Sequence, residues 1–431
     1  MKKLNILIIV IVLLVLANMT VMVFLSGGSK MAENNGAAVL TKHRDFTKTV
    51  TIQLMIKGGL FAENKENNGI GSLFSRVWVK SNKVLETVEF YGGSVSAKVS
   101  PFALEVRLSV PSDKIDKVYN DFAAFLAAPE FKEDIFEREK MQHIDELRTS
   151  LDNPNLIAQN GFMALAFKGS PYEMPVEGMV ESVEKITFED IKNYYKNNIK
   201  ASYIVAVIAG NFDKGLEVSL NSTIAKLDKG YPYVYDCSNS AILEERRQEV
   251  VDSRIQQAKV YVGYTAPDAG SDDYAALKVL TDILGGGMSS RYFTEIRKNS
   301  SYAYAVGAGY PTRYCSSRFF ISMGLDYKNV ESAINKIDEI NLNLDKTITE
   351  EEIEKARKSI IGSSLMETQS NGSLAWVMAF YETMGLGADY YEKYVDTLKH
   401  INKDALLKAA EIFKTPKAVY ILKPENEKEE K

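Results

Sequence analysis

The chain has 431 residues, of which 45% are hydrophobic and 25% charged, and its formal net charge at pH 7 is -5. This composition is typical of a globular protein, and the length predicts two to three domains. The acidic balance and the absence of a sustained basic run argue against a nucleic-acid partner.

The first predicted element is an almost wholly apolar segment, residues 4–25, which follows Lys2 and Lys3. About 20 apolar residues suffice to cross a bilayer as a helix. The two lysines favour a cytoplasmic amino terminus and a body outside the cytoplasm. A cleaved signal peptide is the alternative, although its apolar core normally has only about 7 to 15 residues. We therefore expect an uncleaved single-pass anchor in the cell membrane.

Two strand patterns, residues 38–40 and 50–56, precede a helix whose apolar residues recur at helical spacing. The predicted inner face of this helix consists of Ile70, Leu73, Phe74 and Val77. A second stripe of the same helix consists of Ser72, Ser75 and Arg76. That spacing would let a helix present two metal ligands and a general base to one point.

Later in the first half, residues 133–152 are predicted to form a helix with Glu139, His143 and Glu146 on one face. These three side chains could bind a metal ion. A charged stripe on a helix is more often solvated, and a complete site would need a fourth group.

The second half repeats the order of elements of the first. A capped helix that begins near Thr187 leads into the buried strand 203–210, and a helix that begins near Asn402 leads into the apolar strand 418–422. This correspondence predicts an internal duplication. The predicted divisions are anchor and tether 1–31, first domain 32–229, linker 230–254, second domain 255–424 and charged tail 425–431.

A glycine-rich block in the second half, residues 285–297, reads Gly-Gly-Gly-Met-Ser-Ser-Arg-Tyr-Phe-Thr-Glu-Ile-Arg. No Gly-Lys-Ser/Thr follows, so a nucleotide-binding loop is not expected. The block ends at Arg297, and Tyr304 lies seven residues later in an alternating strand. A position of Tyr304 in the core is the structural alternative to a role in binding.

These segments resemble the pitrilysin, insulin-degrading enzyme and mitochondrial processing peptidase family, over nearly all of residues 32–424. The first helix of that family carries the zinc motif His-x-x-Glu-His, and its second half carries a signature very like residues 285–297. The resemblance implies an α+β fold of two homologous halves, each a mostly antiparallel sheet with helices packed on one face.

The resemblance also implies that the zinc chemistry is lost. The two zinc histidines fall on Ser72 and Arg76, and the general-base glutamate falls on Ser75. A hydroxyl is a poor neutral ligand, and a guanidinium repels Zn²⁺. The third ligand position, Glu146, and its second-shell companion, Glu139, keep their carboxylates, so we expect no metal in this chain and a buried salt bridge from Arg76 to Glu146.

By the same resemblance, the chain is a pseudo-peptidase, inactive alone, in a membrane-anchored extracytoplasmic zinc endopeptidase. Its Arg297 and Tyr304 would bind the peptide substrate, while a partner subunit of the family would carry the zinc in a heterodimer. A homodimer is the other predicted assembly. Two further hypotheses are a membrane-tethered peptide-binding or structural module without a catalytic partner, and an active single chain with a metal site rebuilt at Glu139, His143 and Glu146.

The cysteines and histidines add little to these predictions. Cys237 and Cys315 belong to no Cys-x-x-Cys or Cys/His cluster, so two partly buried thiols are expected, with a disulfide outside the cytoplasm as the alternative. The histidines His43, His143 and His400 lie far apart in the sequence. A site with several histidine ligands is therefore not expected.

Overall fold

The structure, a computed structural model, describes residues 32–238 and 243–425. The strands of this part of the chain form two sheets. They are β1 (Ala32–Asn34), β2 (Ala37–His43), β3 (Thr49–Lys57), β4 (Ser94–Val99), β5 (Ala103–Pro111), β6 (Ile204–Gly210), β7 (Arg246–Val251), β8 (Ala258–Ala266), β9 (Ala303–Gly309), β10 (Ser317–Leu325) and β11 (Lys417–Lys423).

The two sheets have matching strand orders. The first runs β1-β2-β6-β3-β5-β4 and the second runs β7-β11-β8-β10-β9. The pairs β2/β6 and β7/β11 are parallel, and the other pairings are antiparallel. Without β1, each strand of the first sheet has a counterpart at the same place in the second. The predicted fold class, two homologous α+β halves with mostly antiparallel sheets, is confirmed.

The helices are inserted between the strands in a similarly repeated order. Those of the first half are α1 (Ile70–Ser81), α2 (Val84–Phe90), α3 (Ile115–Ala127), α4 (Glu133–Ser150), α5 (Pro154–Ala166), α6 (Val180–Val183), α7 (Phe188–Asn198) and α8 (Lys214–Ile224). Those of the second half are α9 (Tyr274–Gly285), α10 (Val330–Leu342), α11 (Leu344–Thr347), α12 (Glu350–Glu367), α13 (Asn371–Thr383), α14 (Tyr390–His400) and α15 (Lys403–Ala409). A π-helix, Phe293–Asn299, lies between α9 and β9.

The core of each half lies between its sheet and its own helices. The predicted inner face of α1 is buried as expected, with Leu73, Phe74 and Val77 fully inaccessible to solvent. Trp78 of the same helix donates its indole N–H to the Phe125 carbonyl oxygen at 2.9 Å. Burial of large apolar side chains contributes about 1.5 to 3 kcal/mol each, so α1 is firmly anchored to the sheet.

The opposite face of each sheet is covered by a helix from the other half. Helix α13 packs on β3 and β6 of the first sheet, and α5 packs on β8 and β11 of the second. Asn371 at the start of α13 donates to the Thr49 carbonyl oxygen at 2.8 Å. On the other side, the ring of Phe162 in α5 stacks on Tyr261 with centroids 5.2 Å apart. This exchange of helices holds the two halves together.

Part of the segment between the halves forms a strand. Strand β7 lies within residues 230–254, which were predicted to be the linker, and pairs with β11 over six residues. No residue of this strand is fully buried, and the strand lies at the edge of the second sheet. The domain boundaries otherwise stay predictions.

Cys237 and Cys315 form a disulfide, so the expected pair of free thiols is wrong. The two cysteines are 78 residues apart in the sequence and are brought together because residues next to each of them are also in contact. The rings of Tyr235 and Tyr314 lie 4.2 Å apart, and the Tyr314 N–H donates to the Tyr172 hydroxyl at 3.1 Å. The disulfide thus ties the exit of the first half to the β9–β10 connection of the second.

Within residues 32–238 and 243–425, no helix is both long and apolar enough to cross a bilayer. The longest, α4 and α12, have 18 residues each and carry charged side chains along most of their length. This finding contradicts the predicted location as a single-pass protein of the cell membrane. The apolar segment 4–25, on which that prediction depended, lies outside the described residues.

Candidate functional site

The site is built on the amino-terminal end of α1, which is capped by a glutamate from the preceding loop. Glu63 Oε2 accepts from the Gly69 N–H at 2.8 Å and from Asn68 Nδ2 at 2.9 Å, and its Oε1 accepts from the Gly71 N–H at 3.0 Å. Gly69 itself has φ 94°, a left-handed conformation that suits glycine. Burial raises the pKa of Glu63 to about 7, against the lowering effect of these hydrogen bonds.

Sequence reasoning missed Glu63. A capping residue normally lies directly before the helix, with its partner three residues later. Glu63 is seven residues before Ile70, so only the folded loop brings it to the helix end.

The three side chains at the predicted zinc-motif positions are all hydrogen-bonded within the protein. Ser72 donates to Glu177 Oε2 at 2.5 Å. Ser75 donates to the Gly71 carbonyl oxygen of its own helix at 2.7 Å. Arg76 Nη2 donates to Glu146 Oε2 at 2.6 Å. None of these three side chains is therefore a carboxylate or imidazole that could take a proton from water.

The expected contact between Arg76 and Glu146 is present, but the pair is not buried. Their side chains are 26% and 46% exposed, and Glu146 also accepts from Gln142 at 2.8 Å. The hydrogen bond from Arg76 is the largest of the causes that lower the pKa of Glu146. Because water screens such a pair, its contribution is about 0 to 1 kcal/mol rather than the 3 to 5 kcal/mol expected for a buried one.

Glu139 has a different cation partner. Its side chain is 1% exposed, and its Oε2 accepts from Lys80 Nζ at 2.6 Å. Lys80 comes one helical turn after Arg76 on α1. The two basic side chains therefore pair with two different glutamates of α4, Glu146 for Arg76 and Glu139 for Lys80. The carboxylates of Glu139 and Glu146 therefore each pair with a different basic side chain of α1 and do not share one binding position.

His143 lies between them on α4 and is almost fully buried. Its Nε2 lies 3.7 Å from Glu177 Oε2, and the backbone of Glu177 is also close to the ring. Burial, followed by the nearby Arg76 charge, lowers the pKa of His143, which keeps the ring neutral at pH 7.

These residues do not fit a zinc ion. Of the potential ligands, both carboxylates have basic partners, and the guanidinium of Arg76 occupies the space between α1 and α4. In the part of the chain that the structure describes, no group of three or more His, Cys, Asp or Glu residues is placed to hold a metal. The hypothesis of a site rebuilt at Glu139, His143 and Glu146 is therefore not supported.

A cavity of about 720 Å³ opens beside this region. Arg76, His143, Glu146 and Glu177 line one end, and Arg313 of the second half contributes to the wall. The rest is largely apolar and includes Leu147, Leu151, Leu156, Met163, Met174 and Val176. The volume lies within the range of about 300 to 1,000 Å³ that is usual for ligand pockets.

Arg297 and Tyr304 lie elsewhere, and neither lines this cavity. The guanidinium carbon of Arg297 lies 4.8 Å from the centroid of the Phe293 ring. The Tyr304 hydroxyl donates to Asp326 Oδ2 at 3.0 Å, and this hydrogen bond raises the pKa of the tyrosine. Tyr304 is 53% exposed on β9, at the edge of the second sheet, so the alternative of a core position is wrong.

The duplicated fold defines a class of protein, the two-domain zinc-peptidase fold, and the positions predicted to correspond to its metal ligands and general base carry Ser72, Ser75 and Arg76. Two family profiles match the chain. The profile described as Insulinase (Peptidase family M16) matches residues 38–180, and the one described as Peptidase M16 inactive domain matches residues 185–360. The chain belongs to peptidase family M16.

Some relatives of similar length are named as peptidases, and others are named as non-peptidase homologues. An "Uncharacterized zinc protease" of Rickettsia felis is 25% identical over 409 residues, covering 90% of this chain and 93% of that protein. The "Non-peptidase homolog YmxG" of Helicobacter pylori is 24% identical over 371 residues, with coverages of 81% and 84%. The crystal structure of a peptidase M16 inactive domain from Pseudomonas fluorescens matches with a TM-score of 0.80 at 20% identity, covering 91% of this chain and 96% of that one. The structural match shows that the chain shares the fold of that domain.

Proposed function

We propose that the protein is the non-catalytic subunit of a zinc endopeptidase, which binds peptide substrate for a zinc-carrying partner of the same family. The observation that carries this proposal is the contrast between its two sets of motif residues. Arg76 is bonded to Glu146 at the former metal position, whereas Arg297 and Tyr304 are exposed to solvent.

The surroundings of Arg297 and Tyr304 suit the binding of an extended peptide. Tyr304 lies on β9, whose outer edge has unpaired backbone groups because β9 ends its sheet. Arg297 lies just before that strand, and its guanidinium is held over the Phe293 ring. A guanidinium and a phenol can both donate to peptide carbonyl oxygens and to an oxyanion that develops from one of them.

The partner's zinc would supply the activated water. The residues of this chain would hold the peptide in register, and Arg297 would donate to the reacting carbonyl. Tyr304 would do so once its O–H turns from Asp326 Oδ2 to the peptide. A heterodimer is favoured over a homodimer, because two copies of this chain would both have serine and arginine where the metal ligands are needed.

The test is a reconstituted pair of this chain with a family member that carries an intact His-x-x-Glu-His. Arg297→Ala should lower the rate of peptide cleavage by about 100-fold or more, which is the usual effect of removing an oxyanion donor. Lys298→Ala is the matched control, because it removes the same charge from the next exposed position of the π-helix. An unchanged rate in Arg297→Ala would reject the role of this residue.

A second measurement tests the pseudo-peptidase itself. The chain purified without a partner should cut no peptide and bind zinc no more tightly than an Arg76→Ala, Glu146→Ala double variant. Cleavage by the isolated chain with stoichiometric zinc would reject the proposal.

The alternative, a peptide-binding module without a catalytic partner, is favoured by the apolar cavity beside Arg76. It predicts that the chain alone binds peptides tightly and that no family member co-purifies with it.

A further inference from the structure

A second cavity, of about 410 Å³, lies in the second half and shares no lining residue with the cavity beside Arg76. Its walls are α9, α12, α13 and α14. Helix α9 contributes Lys278 and Asp282, and α12 contributes hydroxyl groups and Glu367. The aromatic side chains of the lining are Tyr274, Trp376, Phe380, Tyr381, Tyr391 and Tyr394.

Lys278 is the cation of this cavity and has few partners in the protein. Its Nζ donates to the Tyr310 carbonyl oxygen at 2.6 Å and lies 5.2 and 4.9 Å from the ring centroids of Tyr274 and Tyr310. An ammonium group has three N–H donors, and this carbonyl accepts from one. Within the described ranges Lys278 forms no ion pair at direct contact distance, and Glu367 attracts its ammonium group from farther away.

A charge in such surroundings normally has a counter-ion. Burial lowers the pKa of Lys278 to about 8, so the amine is still protonated at neutral pH. Asp282, one helical turn later, interacts with Ser359 and lies near Lys355 instead. Glu367 attracts Lys278 without reaching it, so a carboxylate in direct contact with Lys278 is one that a ligand would bring.

The other charges of the cavity restrict the class of ligand. Asp282 and Glu367 line the same space, and they would repel a polyanion such as a phosphate. A ligand with one carboxylate and one ammonium group would satisfy Lys278 and face Glu367 at the same time. The aromatic walls favour an apolar or aromatic body between the two charges.

We propose that this cavity binds a short unblocked peptide in its zwitterionic form, with the carboxylate on Lys278 and the ammonium group directed towards Glu367. The site is separate from Arg297 and Tyr304, so the inference does not depend on the proposed role in cleavage.

The test uses three probes on the full chain in isothermal titration: the dipeptide Ala-Phe, its carboxamide, which lacks the carboxylate, and its N-acetyl form, which lacks the ammonium group. The free dipeptide should bind most tightly. Loss of a charge-assisted contact should weaken the carboxamide by about tenfold or more. Equal binding of the free and carboxamide forms, or no binding of either, would overturn the proposal.

Variants locate the site. Lys278→Gln should weaken the free dipeptide by about tenfold or more, whereas Lys336→Gln, a partly buried lysine paired with Glu339 in the same half, should not. Because Lys278→Gln can fail to fold, Glu367→Gln at the exposed rim serves as a second test. It should abolish the preference for the free over the N-acetyl dipeptide, and an unchanged preference would overturn the proposal.

Discussion

The helix pair α1 and α4 of the first half and the corresponding pair α9 and α12 of the second differ in where their charged side chains find partners. In the first pair, Arg76 and Lys80 of one helix neutralise Glu146 and Glu139 of the other. In the second pair, Lys278 bonds only a backbone carbonyl oxygen and faces a cavity. The same arrangement of two helices can therefore pair its basic side chains with acids of the facing helix, as in the first half. It can also leave a basic side chain without an acid in direct contact, as in the second half.

The largest effect is expected from the disulfide that joins the two halves. Cys237→Ser with Cys315→Ser opens a link between residues 78 positions apart, which should lower the free energy of unfolding by about 4 kcal/mol. Urea unfolding of the double variant measures this change. A reducing agent should destabilise the parent protein similarly and leave the variant unaffected. Equal stability of parent and variant would show that the exchanged helices alone hold the halves together.

The next largest effect is expected from the pair formed by Lys80 and the buried Glu139. Lys80→Met removes the direct partner of the buried Glu139 carboxylate and leaves Arg138 Nε at 3.4 Å and the more distant charge of Arg76. Removing one partner of a buried charge should cost about 3 kcal/mol in unfolding free energy. The double variant Lys80→Met, Glu139→Met should recover most of the loss, because no buried charge then remains. A double variant as unstable as the single one would contradict this explanation.

Glu63 should make the stability of the protein depend on pH. Because its pKa is raised to about 7 in the folded protein from 4.5, its stabilising contribution is complete below pH 4.5 and is lost as the pH rises through 7. The total change is on the order of 2 to 3 kcal/mol. The free energies of unfolding of the parent protein and of Glu63→Gln should be measured from pH 4 to 8. As the pH increases, the parent should lose stability relative to the variant. A constant difference would indicate that Glu63 has an ordinary pKa.

The smallest effect is expected at the former zinc position. Arg76→Met should change the free energy of unfolding by at most about 1 kcal/mol, because the pair with Glu146 is solvent-exposed. The same substitution at Lys80 is the matched comparison within one helix. If Arg76→Met lowers the free energy of unfolding as much as Lys80→Met does, the pair Arg76–Glu146 is less exposed to water in solution than its side-chain exposures indicate.

The sequence by itself determined the features that depend on neighbouring residues. The buried stripe of α1 and the repeated order of elements follow from local periodicity. The missing zinc-motif side chains and the expected contact from Arg76 to Glu146 follow from the resemblance of local segments to the peptidase family.

Only the tertiary structure decided features that depend on residues distant in the chain. It placed Glu63 at the start of α1, paired Cys237 with Cys315, exchanged α5 and α13 between the sheets, and left the Arg76–Glu146 pair exposed. The physical reason is that hydrophobic periodicity fixes which face of an element is buried, whereas the distance and solvent exposure of a pair depend on how whole elements pack against one another.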